Sequence, residues 1–84
     1  MRDVFISLPS PETVKSFVDT LVGMDGDFEI IDDIHILDAR SLMGIFSLDL
    51  QKPLRLRIYN DTRQNCEQLE RYIVRNKGRG NKNG

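Results

Sequence analysis

The chain has 84 residues, of which 39% are apolar and 30% charged, and its net charge is −1. These values are typical of one small globular domain and argue against a disordered chain or a membrane protein. No apolar run approaches the roughly 20 residues of a membrane span, and no signal peptide is recognisable, so we expect no membrane partner. The single cysteine, Cys66, excludes an internal disulfide and argues against a cysteine-based zinc site. We therefore expect a cytoplasmic protein without a bound metal.

The charge is unevenly distributed along the chain. Residues 75–84 contain four of the 12 bases and no acid, which leaves eight bases against 13 acids in residues 1–74, a net charge of −5. Because a folded part with this charge repels a phosphate backbone, we predict no nucleic-acid partner. The glycine- and asparagine-rich end is typical of a flexible segment. We predict one domain over 1–75 and a flexible basic tail over 76–84.

A strand and a helix are predicted in the first quarter of the chain. Apolar residues alternate with others over 3–8, which indicates a half-buried strand. Ser10 is then the predicted N-cap of a helix, with Pro11 at the first helical position. Apolar residues follow at helical spacing, so the helix is predicted over 11–23 and ends at Gly23. Its predicted core face consists of Val14, Phe17, Val18, Leu21 and Val22.

A hairpin and a short helix are predicted next. The segment FEIIDDIHIL is typical of two strands, over 27–32 and 34–38, that turn at Asp32-Asp33. The apolar segment LMGIF is too brief for a full helix and too bulky for a loop. We predict one or two helical turns there, with Ser41 as the N-cap.

A fourth strand and a last helix complete the prediction. Alternation over 54–59 indicates a strand with one face in the core and a basic outer face. A cap formed by residues 60–62 precedes a helix in which Cys66, Leu69 and Ile73 recur at core spacing, with Tyr72 beside them. The order is β-α-β-β-α-β-α. Helices that all cover one face of the sheet bury these apolar stripes economically, which predicts a two-layer α+β domain.

The stretch ARSLMGIFSLDL (39–50) resembles the segment that opens the short second helix of HPr proteins. In that family the pattern is basic-Ser-apolar-Met-Gly-apolar-apolar-Ser-Leu, and residues 40–48 match every position. The predicted elements also follow the family's order, so the resemblance covers about residues 3–75. It implies the HPr fold, an open-faced sandwich with a four-stranded antiparallel sheet and helices on one face.

HPr proteins are the phosphocarriers of the phosphoenolpyruvate-dependent sugar phosphotransferase system, and they carry phosphate on a histidine just before the first helix. The motif there is Gly-apolar-His-Ala-Arg-Pro, whereas here Ser10 occupies the histidine's position and Glu12 the arginine's. Pro11 removes a backbone N–H, and Glu12 opposes a phosphate by about 1 to 4 kcal/mol near a surface. We therefore predict no catalytic residue. The only histidine, His35, is predicted to be an exposed strand residue and not a substitute.

Ser41 matches a serine that an ATP-dependent kinase phosphorylates in the HPr proteins of many Gram-positive bacteria. The modified protein then acts as a corepressor with a transcription regulator. The resemblance therefore predicts regulatory phosphorylation at Ser41, and a phosphate at a helix start is electrostatically favourable there. The alternative is that Ser41 is only an N-cap, since serine is preferred at that position in any protein.

In HPr proteins, the positions that match the residues around Ser41 form the apolar patch on which partners dock. We predict that Leu42, Met43 and Phe46, together with Arg40, bind protein partners here. On one or two helical turns Leu42 and Ile45 can point inward while Met43 and Phe46 stay outside. The alternative is that all four apolar residues belong to the core. The expected partners are an HPr-type serine kinase, a transcription regulator or phosphotransferase components.

Three functions are considered. The first is a regulatory or interaction protein of HPr type that acts through the Ser41 helix. The second is a phosphocarrier with a non-histidine acceptor such as Ser10. The third is an enzyme, and it is disfavoured because the sequence offers no nucleophile–base pair, metal set or phosphate-binding glycine loop. We therefore predict no catalyst and no cofactor.

Overall fold

The computed structural model describes residues 1–74. Its sheet follows from the alternation of apolar and polar side chains along the strands. Leu54, Leu56 and Ile58 are buried while Arg55 between them is exposed, as expected where one face of a strand is covered. The strands are β1 (Arg2–Ile6), β2 (Phe28–Asp32), β3 (His35–Asp38) and β4 (Leu54–Ile58). They form one antiparallel sheet in the order β1-β4-β2-β3. The predicted tail, 76–84, lies outside the described residues.

The helices all cover one face of this sheet. They are α1 (Pro11–Val22), α2 (Leu42–Phe46) and α3 (Arg63–Leu69), and a 3₁₀ turn over Glu70–Tyr72 follows. Their buried side chains meet the inner face of the sheet in one core, in which Phe17 and Phe28 are the largest fully buried residues. The predicted α+β class, the element order and the two-layer arrangement are confirmed. Within residues 1–74, no helix has the length and apolar character needed to cross a bilayer.

The first helix begins as predicted and buries a narrower face than predicted. Val14, Phe17 and Leu21 are fully buried, whereas Val22 is 66% exposed. The prediction that Val22 faces the core is wrong because it lies one residue beyond Leu21, and each residue turns the helix by about 100°. The ring of Phe17 packs edge-on against Tyr72, with 5.2 Å between the ring centroids.

The last helix is shorter than predicted. It ends at Leu69, and Ile73 has extended backbone angles and forms a bridge with Ile6 of β1. The prediction that Ile73 belongs to the helix is therefore wrong, although its side chain still packs against the core. Tyr72 is itself a core residue, only 4% exposed. Pairing with β1 satisfies backbone groups that a further helical turn would otherwise have bonded.

The hairpin turns one residue later than predicted. β2 continues through Asp32, and the turn consists of Asp33 and Ile34, with Asp33 at a φ of 55°. Aspartate is among the few residues that tolerate this left-handed conformation, since its short side chain can bond the local backbone. The turn places His35 at the start of β3, where it is exposed as predicted.

The outer face of the sheet is less basic than the sequence suggested. Asp3 accepts from Arg57 at 2.8 Å, and its other carboxylate oxygen lies 2.8 Å from Arg55 Nη2. The hydrogen bonds from Arg57, together with those from Arg55, outweigh desolvation and lower the pKa of Asp3 from 3.8 to about 2. The carboxylate thus stays ionised near neutral pH and neutralises part of the charge of both arginines.

Candidate functional site

The short helix α2 is held at both ends by serine hydroxyls. Ser41 is its N-cap, and Ser41 Oγ accepts the backbone N–H of Gly44 at 3.2 Å. At the other end Ser47 Oγ donates to the carbonyl of Gly44 at 2.6 Å. A five-residue helix is marginal by itself, so these bonds and the packing beneath it determine where it begins and ends. The predicted N-cap role of Ser41 is confirmed.

Gly44 allows Ser41 and β3 to approach the helix closely. A Cβ atom at Gly44 would lie 3.0 Å from Ser41 Oγ and 3.3 Å from Leu37 Cδ1, tighter than ordinary van der Waals contact. The absence of a side chain at residue 44 therefore lets the Ser41 hydroxyl and Leu37 share one narrow space. This is a physical reason for glycine at the third position of α2.

The two faces of α2 differ sharply in exposure. Ile45 is fully buried and Leu42 partly buried, whereas Met43 is 81% and Phe46 38% exposed. The predicted orientation of these four residues is confirmed, and the alternative that all of them belong to the core is wrong. We refer to Leu42, Met43 and Phe46 as the α2 patch. It is an apolar surface that no described part of the chain covers fully.

Arg40 has a structural role that the sequence did not predict. Its guanidinium donates to the carbonyl of Leu21 at 3.0 Å, of Met24 at 2.7 Å and of Gly26 at 3.0 Å. It also lies 5.0 Å from the ring centroid of Phe28. These carbonyls belong to the last turn of α1 and to the loop after it, where a cation complements the helix dipole. Arg40 thus ties the end of α1 to the segment that leads into α2.

The start of α1 is built as a helix cap. Ser10 Oγ accepts the backbone N–H of Thr13 at 3.2 Å and lies 2.8 Å from Thr13 Oγ1. Pro11 occupies the first helical position and Glu12 is exposed in the first turn. The predicted capping role of Ser10 is confirmed. The resemblance placed a phosphate acceptor and an arginine here, and the structure has a bonded hydroxyl and a carboxylate.

A cleft beside this helix contains a cation that sequence reasoning missed. The cleft has a volume of about 510 Å³ and is lined by Glu12 and Ser16 of α1 and by Arg71 and Tyr72 of the 3₁₀ turn. Arg71 Nη2 donates to Ser16 Oγ at 3.0 Å and to Tyr72 Oη at 2.8 Å. No local pattern could reveal this group, because the two segments lie 55 residues apart along the chain.

Tyr72 lies at the centre of the same group of polar side chains. Its hydroxyl is 2.6 Å from Ser16 Oγ. Burial raises the pKa of Tyr72, but hydrogen bonds with Ser16, Thr20 and Arg71 and the charge of Arg71 outweigh it, so the pKa lies below its ordinary value. Arg71 and Glu12 give the cleft both signs of charge. Among the described residues no three histidine, cysteine or carboxylate side chains are grouped as a metal site requires.

A solved structure has a fold similar to that of this chain. The chain is similar to the crystal structure of HPr-C-His from Thermoanaerobacter tengcongensis, with a TM-score of 0.68 and 22% sequence identity over 84% of this chain and 89% of that chain. The chain has an HPr-like fold. No protein-family model and no curated protein matches it. Within this fold Ser10 caps the first helix and Ser41 the second.

Proposed function

We propose that this protein is a regulatory interaction protein of HPr type, which binds protein partners through the α2 patch and is controlled by phosphorylation of Ser41. The observation that carries the proposal is the exposure of Met43, 81%, on a helix in which Ile45, on the opposite side, is fully buried. Methionine adapts its shape to different partners, and exposed apolar side chains next to one another mark interaction surfaces.

Phosphorylation of Ser41 would change the chemistry of this surface directly. The modified side chain carries about −1.5 to −2 charges at neutral pH. It would add them beside the apolar α2 patch, at the end of the helix where backbone N–H groups favour negative charge. A partner that presents an arginine beside an apolar pocket would then be preferred over one with an apolar pocket alone. Arg40 would act here as a positioning residue, since its guanidinium is bonded to backbone carbonyls.

The alternative function is a phosphocarrier with Ser10 as the acceptor. Arg71 supplies a cation on the opposite wall of the neighbouring cleft, which is the observation in its favour. Against it, the Ser10 hydroxyl already bonds Thr13 and the exposed Glu12 carboxylate stands in the first turn of the helix. We expect no phosphate on residues 8–13 after incubation with phosphoenolpyruvate and the kinase of the sugar phosphotransferase system, measured by peptide mass spectrometry.

An HPr-type serine kinase with ATP tests the proposed function. We expect one phosphate per chain, mapped to Ser41 by mass spectrometry, and none on the Ser41→Ala variant. The variant also loses the N-cap of α2, so its free energy of unfolding should fall by about 1 kcal/mol. Circular dichroism must show that it remains folded before the missing label is interpreted. A phosphate on another residue, or none on the unmodified protein, contradicts the regulatory mechanism.

The role of the α2 patch is tested with the same kinase. We expect Met43→Lys to lower kcat/KM for Ser41 phosphorylation about tenfold, because the kinase must contact the surface beside the serine. The melting temperature should hardly change, since Met43 is largely exposed. Val22→Lys is the matched control, because Val22 is an exposed apolar residue at the end of α1. Equal rates for the two variants would show that the α2 patch does not contact the kinase.

A further inference from the structure

The two edges of the sheet differ in their backbone pairing. At the β1 edge the chain folds back, with Ser7 N–H donating to Tyr72 O at 2.9 Å and Val74 N–H donating to Phe5 O at 2.8 Å. At the other edge β3 pairs with β2 on one side, and no described strand lies on its other side. Unpaired strand edges are sites where another extended chain can add.

The hydrogen-bond phase of the hairpin shows which groups of β3 face outward. The N–H of Ala39 donates to Phe28 O at 2.9 Å, which makes Phe28 and Ala39 a hydrogen-bonded pair. Since such pairs alternate along an antiparallel ladder, Ile36 opposes Ile31 in a pair without hydrogen bonds. The backbone N–H and C=O of Ile36 therefore point away from β2. Its side chain is 59% exposed, and that of Ile34 in the turn is 90% exposed.

The charged side chains of the segment that contains β3 are all acidic, although Lys52, in the loop before β4, lines the same cleft as Asp32 and Asp33. Residues 25–38 contain six acids and neither lysine nor arginine. Asp32 and Asp33 lie at the turn end of β3 and Asp38 at its other end, with the two isoleucines between them. The arginines of β4, which β2 separates from β3, form ion pairs with the carboxylate of Asp3 in β1.

We propose that the β3 edge binds an extended segment of another protein as an additional strand, and that this segment is apolar in its middle and basic at both ends. The open backbone groups of Ile36 supply the strand pairing, the exposed isoleucines the apolar contact, and the flanking acids the charge complementarity. A second copy of this chain is a poorer occupant, because it would bring the same acids to the same edge. The proposal goes beyond the α2 patch and does not depend on it.

A designed peptide serves as the probe. It is a capped nonapeptide with threonine at the odd positions and lysine, valine, valine and lysine at the even positions, which lie on one face of a strand. The matched control replaces both lysines by glutamate. With the peptide at about 1 mM, we expect the lysine peptide to shift the amide resonances of β3 and to slow hydrogen exchange at the Ile36 amide. The glutamate peptide should do neither.

Three variants separate strand pairing from charge. Ile36→Pro removes the outward N–H without removing a bond to β2, as proline tolerates an edge position, and should weaken peptide binding at least tenfold. Ile36→Thr keeps the N–H and the β-branched shape, and should retain most of the affinity. Asp33→Asn with Asp38→Asn should weaken binding about threefold to tenfold and reduce its dependence on salt concentration.

Several outcomes would overturn the proposal. Equal binding of the two peptides would remove the charge argument. Binding that leaves the Ile36 amide unprotected, or that survives Ile36→Pro, would show that no strand is added. A stable dimer in sedimentation experiments, dissociated by Ile36→Pro, would assign the edge to a second copy of this chain. Because Ser41 phosphorylation does not use this edge, these results leave the proposed function standing or failing separately.

Discussion

Replacing Arg40 by methionine will lower the free energy of unfolding by about 2 to 4 kcal/mol, because it removes a charged donor from three backbone carbonyls. Methionine keeps much of the length and apolar stem of arginine, so the change mainly removes the guanidinium. Hydrogen bonds from charged donors are worth about 1.5 to 3 kcal/mol each, and they do not add fully when the carbonyls can turn to water. Urea unfolding followed by circular dichroism measures the loss.

Arg40→Lys is the matched control for charge. A lysine ammonium is a compact donor and cannot bond three separated carbonyls as the planar guanidinium does. We therefore expect Arg40→Lys to lose less stability than Arg40→Met but to remain less stable than the unmodified protein. If Arg40→Met costs less than about 1 kcal/mol, water replaces the guanidinium and Arg40 does not fasten the end of α1. The guanidinium would then be free for the partner-binding role that the sequence resemblance implied. The same measurement thus decides between two roles of one residue.

The sequence was sufficient to predict features that depend on neighbouring residues. Alternation in β4, the apolar spacing of α1 and the serine N-caps of α1 and α2 each express a local rule, and the structure has them. The exposure of Met43 was also predictable, since Ile45 two positions later must face the opposite side of a short helix. Local rules therefore predicted the short helix, its cap and its exposed face, whereas its role as a candidate binding site rests on the resemblance to HPr proteins.

The features that were missed depend on contacts between distant segments. Arg40 bonds carbonyls 14 to 19 residues earlier, and Arg71 bonds Ser16 across 55 residues. No glycine or proline between Leu69 and Val74 signals the end of the last helix, and its end is set by the bridge between Ile73 and β1. These are cases where tertiary pairing overrides local propensity.

The exposed β3 edge likewise could not be predicted from the sequence. The hairpin pattern indicates that β2 and β3 pair, but it does not indicate which strand lies outermost. That order arises because β4 inserts between β1 and β2. β4 pairs with both β1 and β2 in antiparallel register, which leaves β3 with one partner among the described strands. The candidate peptide-binding edge thus results from the strand order. The acids that flank it can be related to peptide binding only once the position of this edge is known.

Gly26→Ala is the second change with a large expected effect on stability. Gly26 has a φ of 101°, and a Cβ atom there would lie 2.6 Å from Asn60 Cβ. A left-handed conformation costs a residue with a side chain about 1 to 2 kcal/mol, and overpacking adds about 1 to 3 kcal/mol. We therefore expect the free energy of unfolding to fall by about 2 to 4 kcal/mol, measured by urea unfolding.

Gly23→Ala is the matched control, because Gly23 has a φ of −86° and a Cβ atom there would meet only Thr20 O at 3.7 Å. It should be neutral or stabilise the protein by up to about 1 kcal/mol. The Gly26 carbonyl also accepts from Arg40, so Gly26→Ala and Arg40→Met should cost less together than the sum of the two separate losses. If the two losses of free energy are strictly additive, the loop after α1 moves in Gly26→Ala without releasing the Arg40 guanidinium. The segment before Ser41 would then be positioned independently of the loop after α1.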